Sequence, residues 1–283
     1  MFSVDLINML LFMKQNKILL LGGTGFIGQN LLKVLQKYDV LIPTRKNILN
    51  KKGANYVYYD SYDYLKEELI KHEFSFIINC SNSYNSELFM LKNTFESNVI
   101  FPLEIILHKK IKFDFVINIG TILPFNTNIY SLTKKNLEEY LNLFLDKKKF
   151  ININAGSIYG CGMSKKSLIY KVCISKNQFT LKNGNDYRTF LFVEDFQKAI
   201  LKILDNINNL CIYENIVIRS NRLIKLSDFA LNFNLLYKRK IKIEYNSSFS
   251  EAEYYQNSLQ DLSGWEESYS LEEGLIKFRS SYR

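Results

Sequence analysis

The chain has 283 residues, enough for one large domain or a domain with a smaller lobe. An apolar fraction of 47% supports a full core and argues against disorder. The net charge of +9 is scattered along the whole length, in clusters no longer than Lys147 to Lys149, so it reads as a solvated surface that helps attract an anionic substrate and not as a nucleic-acid stripe.

Residues 1 to 12 are apolar but short, and Asp5 interrupts them. No basic stretch precedes them and no small-residue cleavage site follows, so neither a signal peptide nor a membrane span is expected. They read as an N-terminal extension, unstructured or mis-started. From Lys17 an apolar run, Ile18 to Leu21, breaks into Gly22, Gly23, Gly25 and Gly28, and an amphipathic segment follows with Ile27, Leu31, Val34 and Leu35 on one face. That is a buried strand, a glycine turn and a helix start. Gly22 permits the tight turn, Gly25 lets backbone approach a pyrophosphate, and Gly28 lets helix pack on strand. The helix start offers unpaired N–H groups and a positive dipole end to phosphates.

Strands are then expected at Asp39 to Ile42, Tyr56 to Tyr59, Phe74 to Asn79, Phe113 to Ile119 and Phe150 to Asn154. Between the fourth and fifth lies a helix from about Leu88 to His108, which Pro102 is expected to kink; between the fifth and sixth lies one from about Ser131 to Leu145. Alternating strands and helices predict a Rossmann-type α/β fold, a doubly wound parallel sheet covered on both faces. The dinucleotide-binding domain is placed at 13–155. Residues 156–283 are expected to form a smaller, interleaved C-terminal substrate lobe, with short strands at Phe179 to Leu181 and Ile216 to Ile218 and helices at Val193 to Asp205 and Ser227 to Leu236. Parts of this lobe, at about 190–220, return to the sheet.

Tyr130 and Lys134 stand one helical turn apart, on one face, directly after the fifth strand. An ammonium beside a phenol favours phenolate and lowers its pKa, which makes the tyrosine a usable proton donor or acceptor near neutral pH. Thr121, at the carboxyl end of that strand, places a hydroxyl beside the phenol, where ligands of open α/β sheets sit. At the end of the second strand the sequence reads VLIPTRKN, with no acid to hold a ribose 2′-hydroxyl and with Arg45 and Lys46 suited to a 2′-phosphate. NADP(H) is therefore the expected cofactor, with NAD(H) the alternative. Cys80 and Ser81, after the fourth strand, are expected beside it. The four cysteines, Cys80, Cys161, Cys173 and Cys211, have no paired spacing, and only His72 and His108 supply imidazole. No metal site is expected, and the cysteine usage fits a reducing cytoplasm.

With GGTGFIG at the first turn, Asp60 closing the third strand, Asn98 in the long helix, Thr121 and then YSLTK, the chain resembles the extended short-chain dehydrogenase/reductases, in their NAD-dependent epimerase/dehydratase branch. ININAGSIYGCG, GNDYRTFLFVEDF and LSGWEESYSLEEGL continue the resemblance over about residues 17 to 280. It implies a cofactor site made of Gly22, Thr24, Gly25, Phe26, Ile27, Gly28, Arg45, Lys46, Asp60, Ser61, Cys80, Ser81, Asn98, Tyr130 and Lys134, with Asp60 accepting from the adenine amino group. It implies catalysis by Thr121, Tyr130 and Lys134, and substrate contacts from Thr121, Ser157 and Arg188, the last on a nucleotide diphosphate. The family's dehydratases follow the threonine with an Asp-Glu pair; here Ile122 and Leu123 follow, so dehydration lacks its acid and base. The short segment before Tyr130 is most similar to nucleotide-sugar 4-keto reductases of the abequose-synthase type. Asn154 stands where many relatives carry arginine. The implied activity is NADP(H)-dependent reduction of a nucleoside-diphosphate-linked 4-keto (deoxy) sugar, in a cytoplasmic homodimer joined through the helices near 88–108 and 131–145, with neither nucleic acid nor membrane as partner. An NAD-dependent nucleotide-sugar 4-epimerase and a non-enzymatic nucleotide sensor are the alternatives.

Overall fold

A computed structural model describes residues 17–46, 54–84, 90–174, 178–207, 215–237, 240–246 and 260–282. The expectations for residues 1–12, for the first turn of the helix at Leu88 and for Cys211 lie outside them.

β1 (Lys17–Leu21) is the hub of the sheet. Its side chains alternate between two cores: Ile18 and Leu20 join one cluster, Leu19 and Leu21 the other. This is why the strand reads as an unbroken apolar run, as a strand covered on both faces must. Around it lie β2 (Asp39–Thr44), β3 (Asn55–Tyr58), β4 (Glu73–Asn79), β5 (Lys112–Ile119), β6 (Phe150–Ala155), β10 (Asn215–Ile218) and the two-residue β13 (Gln260–Asp261). The order is β13-β10-β6-β5-β4-β1-β2-β3, and every pairing is parallel. The chain thus winds outward in both directions from β1, which leaves a crevice at the carboxyl ends of β1 and β4.

One face is covered by α1 (Phe26–Leu31) and α7 (Val193–Asp205), with Leu31, Leu35, Phe196, Ile200 and Ile203 in the core. The other is covered by α2 (Tyr62–Leu69), α4 (Phe101–Ile106) and α5 (Ile129–Phe144), through Leu65, Leu69, Phe101, Ile105, Leu137 and Leu141. The helix expected over 88–108 is α3 (Leu91–Phe95), a π-turn at Glu96–Ile100 and α4, in direct succession. Pro102 has no N–H to give, and the wide turn falls immediately before it, so the irregularity is a change of hydrogen-bond pitch. α5 begins earlier than its hydrophobic pattern suggests. Asn128 and Ser131 form a reciprocal capping box there, which places Tyr130 inside the first turn.

The remaining chain builds a second core. β7 (Ser157–Tyr159), β9 (Tyr187–Phe192) and β11 (Leu223–Lys225) form a three-stranded sheet, and β8 (Phe179–Leu181) pairs with β12 (Ile241–Ile243). With α6 (Leu168–Cys173), α8 (Leu226–Tyr237) and α9 (Leu271–Ser280) they bury Tyr159, Phe190, Phe192, Phe229 and Phe278. One bond joins the glycine-turn helix to this lobe, Asn30 Nδ2 donating to the Cys161 carbonyl at 3.0 Å, and another joins it to α7, Gln197 Nε2 donating to the Asn30 carbonyl at 2.6 Å. Among the described residues no helix is long and apolar enough to cross a membrane.

Candidate active site

The glycine turn has the backbone that its residues require. Gly22 adopts φ +73°, and a Cβ there would come within 2.6 Å of the Ser81 nitrogen. Gly28 sits so close to Gly23 that a Cβ would lie 2.5 Å from its Cα. The first glycine therefore lets β1 turn against the end of β4, and the last lets α1 lie on the strand. Thr24 and Gly25 are exposed at the mouth, and Phe26 and Ile27 are partly buried behind them. Cys80 and Ser81 are brought directly beneath, since the Cys80 N–H donates to the Leu21 carbonyl at 2.8 Å. Ser81 Oγ is buried without a hydrogen-bond partner among the described residues.

Thr121 and Tyr130 meet. The Thr121 hydroxyl lies near enough to the Tyr130 phenol to favour its ionised form, and Thr121 Oγ1 accepts from the Leu123 N–H at 3.2 Å. Burial pushes the phenol up to about 12, the Thr121 hydroxyl pulls it back, and the nearby Tyr84 phenol adds to the rise. The expected lowering of this pKa by Lys134 is therefore corrected. The Lys134 ammonium donates to the Ser81 carbonyl at 3.3 Å instead, and burial pushes it down to about 8, against the pull of Cys80 and Glu138. Cys80 itself is pushed up to about 12 by burial, and Lys134 draws it the other way. The phenol thus holds its proton at neutral pH, as a proton donor must. Tyr84, an exposed residue, packs its ring 4.9 Å from that of Tyr130.

Asn98 lies in the π-turn, fully buried. Its Oδ1 accepts from the Ser83 N–H at 2.6 Å, and its Nδ2 donates to the Ser83 carbonyl at 3.2 Å and to Thr133 Oγ1 at 2.9 Å. Thr133 in turn donates to the Tyr130 carbonyl at 2.9 Å. Asn98 so braces the loop after β4 against the first turn of α5.

The other expected residues lie further out. Arg45 and Lys46 follow β2 and are exposed; Arg45 lies close enough to Tyr59 and Tyr62 to draw down both phenols, which burial raises. Asp60 and Ser61 are exposed after β3, and the Ser61 hydroxyl caps α2 by accepting from the Tyr64 N–H. Ser157 opens β7. Arg188 lies on β9, paired with the buried Asp186 at 3.1 Å and donating to the Tyr187 carbonyl at 2.8 Å. Ser157 and Arg188 share the lobe's three-stranded sheet. Asn154 is met by a cation from an unforeseen side: Lys135 Nζ lies 2.7 Å from its Oδ1 and 2.8 Å from Glu138 Oε2.

Comparison with known proteins agrees with this architecture. Residues 18–218 match the NAD-dependent epimerase/dehydratase family. A curated relative, CDP-abequose synthase of Salmonella typhimurium, is 28% identical over 250 residues, which cover 81% of this chain and 82% of that protein. Among solved structures, UDP-glucose 4-epimerase of Thermotoga maritima superposes with a TM-score of 0.75 at 16% identity over 94% of this chain and 98% of that one. dTDP-glucose 4,6-dehydratase of Bacillus anthracis gives 0.69 at 17% identity over 94% and 96%. The protein belongs to the NAD-dependent epimerase/dehydratase family. It is thereby an NAD(P)-dependent oxidoreductase of the extended short-chain dehydrogenase/reductase type.

Proposed function

We propose that the protein is an NADP(H)-dependent reductase of a nucleoside-diphosphate-linked 4-keto (deoxy) sugar. The observation that carries this reading is the protonated Tyr130 phenol near the Thr121 hydroxyl at the end of β5, with Ile122 and Leu123 after Thr121 where a dehydratase needs carboxylates. The relative named CDP-abequose synthase supports the same kind of chemistry.

The residues fit a nicotinamide dinucleotide. A turn that only glycine can make sits beside the orphaned hydroxyl of Ser81 and the buried ammonium of Lys134. Gly22 to Gly28, Cys80 and Ser81 would hold it, with Asp60 and Ser61 toward the adenine end. The absence of an acid after β2, with Arg45 and Lys46 in its place, favours the 2′-phosphorylated form. When bound, the cofactor supplies hydride to the carbonyl carbon. Thr121 orients the carbonyl oxygen, Tyr130 Oη gives its proton to the oxygen as charge develops there, and Lys134 holds the nicotinamide ribose. Ser157 and Arg188 belong to the substrate side, Arg188 toward the diphosphate.

The test is stoichiometry. Mixed with NADPH and a panel of 4-keto sugar nucleotides, the protein should consume one reduced cofactor per product, read by its absorbance. Epimer formation from a non-keto sugar nucleotide without added cofactor would establish the 4-epimerase alternative instead. The nucleotide-sensor alternative predicts binding without product across a panel that spans several bases and both deoxy and dideoxy sugars.

The working form is proposed to be a homodimer in the cytoplasm. Tyr140, Leu143 and Phe144 leave α5 44%, 73% and 63% exposed, a row of apolar side chains that a second copy would cover. Leu143→Glu with Phe144→Glu should yield monomer by light scattering.

A further inference from the structure

Five asparagines form a hydrogen-bonded chain across the central sheet. Asn79, which ends β4, donates Nδ2 to Asn118 Oδ1 on β5 at 2.8 Å. Asn118 donates to Asn152 Oδ1 on β6 at 2.7 Å. Asn152 and Asn154 both donate to Asn215 Oδ1 on β10, each at 3.4 Å. The register places Asn79 beside Asn118, Asn118 beside Asn152, and Asn152 beside Asn215. Asn79, Asn118, Asn152 and Asn154 are all 0% exposed. Isoleucine fills the neighbouring positions of the same strands, so apolar packing alone does not call for amides. A buried amide left unpaired costs roughly 1–3 kcal/mol, and each member is tolerated only because its neighbour answers it.

The chain ends on active-site backbone. Asn79 Oδ1 accepts from the Ser81 N–H at 3.1 Å, and the Ser81 carbonyl is the group that receives the Lys134 ammonium. Midway, Asn152 lies against Gly120, where a Cβ would come within 3.0 Å of its Oδ1, and Gly120 immediately precedes Thr121. At the far side Asn154 Oδ1 accepts from Lys135, the residue after Lys134. The chain therefore runs beneath the loop that receives Lys134, the residue before Thr121 and the helix that carries Tyr130.

We propose that this asparagine chain is a positioning device for the cofactor site: Asn79 fixes the Ser81 carbonyl, and through it the ammonium of Lys134. Asn79 acts through these two groups. The inference rests on the reading of Lys134 as a cofactor residue, so its test reads binding of the dinucleotide and needs no sugar substrate.

The test is a double-mutant cycle on NADPH affinity, with NADH titrated alongside, in the wild type, Asn79→Ala, Lys134→Ala and the double variant, each checked by thermal melting to be folded at the titration temperature. Asn79→Ala should weaken binding roughly tenfold, as loss of one buried hydrogen bond and displacement of a second predict. Lys134→Ala should weaken it at least as much, and the double variant no further. A purely structural asparagine would give additive losses. Additive losses, or unchanged affinity in Asn79→Ala, overturn the inference. Asn79→Leu, which fills the volume and removes the same two bonds, replaces Asn79→Ala in the cycle if the latter does not fold, with the same expectations. A wild type that binds neither dinucleotide overturns the functional reading itself, and does so before any variant is compared.

Discussion

Lys134 Nζ lies 3.3 Å from the carbonyl oxygen of Ser81, so the lysine of the Tyr-x-x-x-Lys pair is engaged by the loop after β4, while the tyrosine one turn earlier feels the nearby Thr121 hydroxyl and not the ammonium. The two side chains share a helix face yet have separate partners. Their roles can therefore be separated by mutation.

Tyr130→Phe keeps the ring against Tyr84 and removes only the proton. Turnover should fall by roughly 10² or more, the usual worth of a positioned general acid. Dinucleotide affinity should persist, because Lys134 and Ser81 are untouched. Near wild-type reduction by this variant would show that the proton comes from elsewhere.

The pH profile should bear the mark of Lys134. Its ammonium, pushed down to about 8, is charged below that pH and lost as pH rises through it, while Tyr130, pushed up to about 12, stays protonated throughout. The value of kcat/KM for the dinucleotide reports the free enzyme, so it should hold below pH 8 and fall above it. In Lys134→Met the value should be low and flat across that range. The stability term has the opposite direction. The folded pKa lies below the ordinary 10.5, so the cost of burying the charge is full below 8 and is relieved as pH rises from 8 towards 10.5. A falling limb that survives in Lys134→Met would belong to another group.

Arg45→Ala tests the choice of cofactor. The guanidinium follows β2 in an exposed position, and only NADPH carries a 2′-phosphate for it. A charge-assisted bond of this kind is worth about 1.5–3 kcal/mol, so NADPH binding should weaken by about tenfold or more and NADH binding hardly at all. Equal losses, or a wild type that prefers NADH, would return the enzyme to NAD.

The features legible in the sequence are those set by short-range geometry. Gly22 and Gly28 announce their turn because a Cβ would meet neighbouring backbone at 2.6 Å at the first and 2.5 Å at the second, and Gly22 also turns at φ +73°. Tyr130 and Lys134 announce their shared face because four residues make about one turn. What escaped depends on strand register and on what faces a charge. The direction of the Tyr130 shift was not legible, because the ammonium nearest in sequence is held by the Ser81 carbonyl from another strand. The asparagine chain was written in the sequence as FIIN, VIN and ININ, an amide near the end of three successive apolar runs. Only the parallel register, which aligns Asn79, Asn118 and Asn152, turns those separate amides into one chain.

The same distinction governs Lys135. By resemblance the family often has arginine at the position of Asn154, and here the positive charge comes from the helix instead: Lys135 lies 2.7 Å from Asn154 Oδ1 and 2.8 Å from Glu138 Oε2. The Lys135 and Glu138 side chains are only 13% and 9% exposed. Removing one member of so buried a pair leaves an uncompensated charge, so Lys135→Ala should lower stability by roughly 3 kcal/mol in denaturant melts. Asn154→Arg alone should also destabilise, since it sets a second cation against Lys135. Combined, the two substitutions restore one cation to Glu138 and should recover much of the loss, a strongly non-additive result. Additive destabilisation would show that Glu138 does not need the charge, and that the Lys135–Asn154 contact is packing alone.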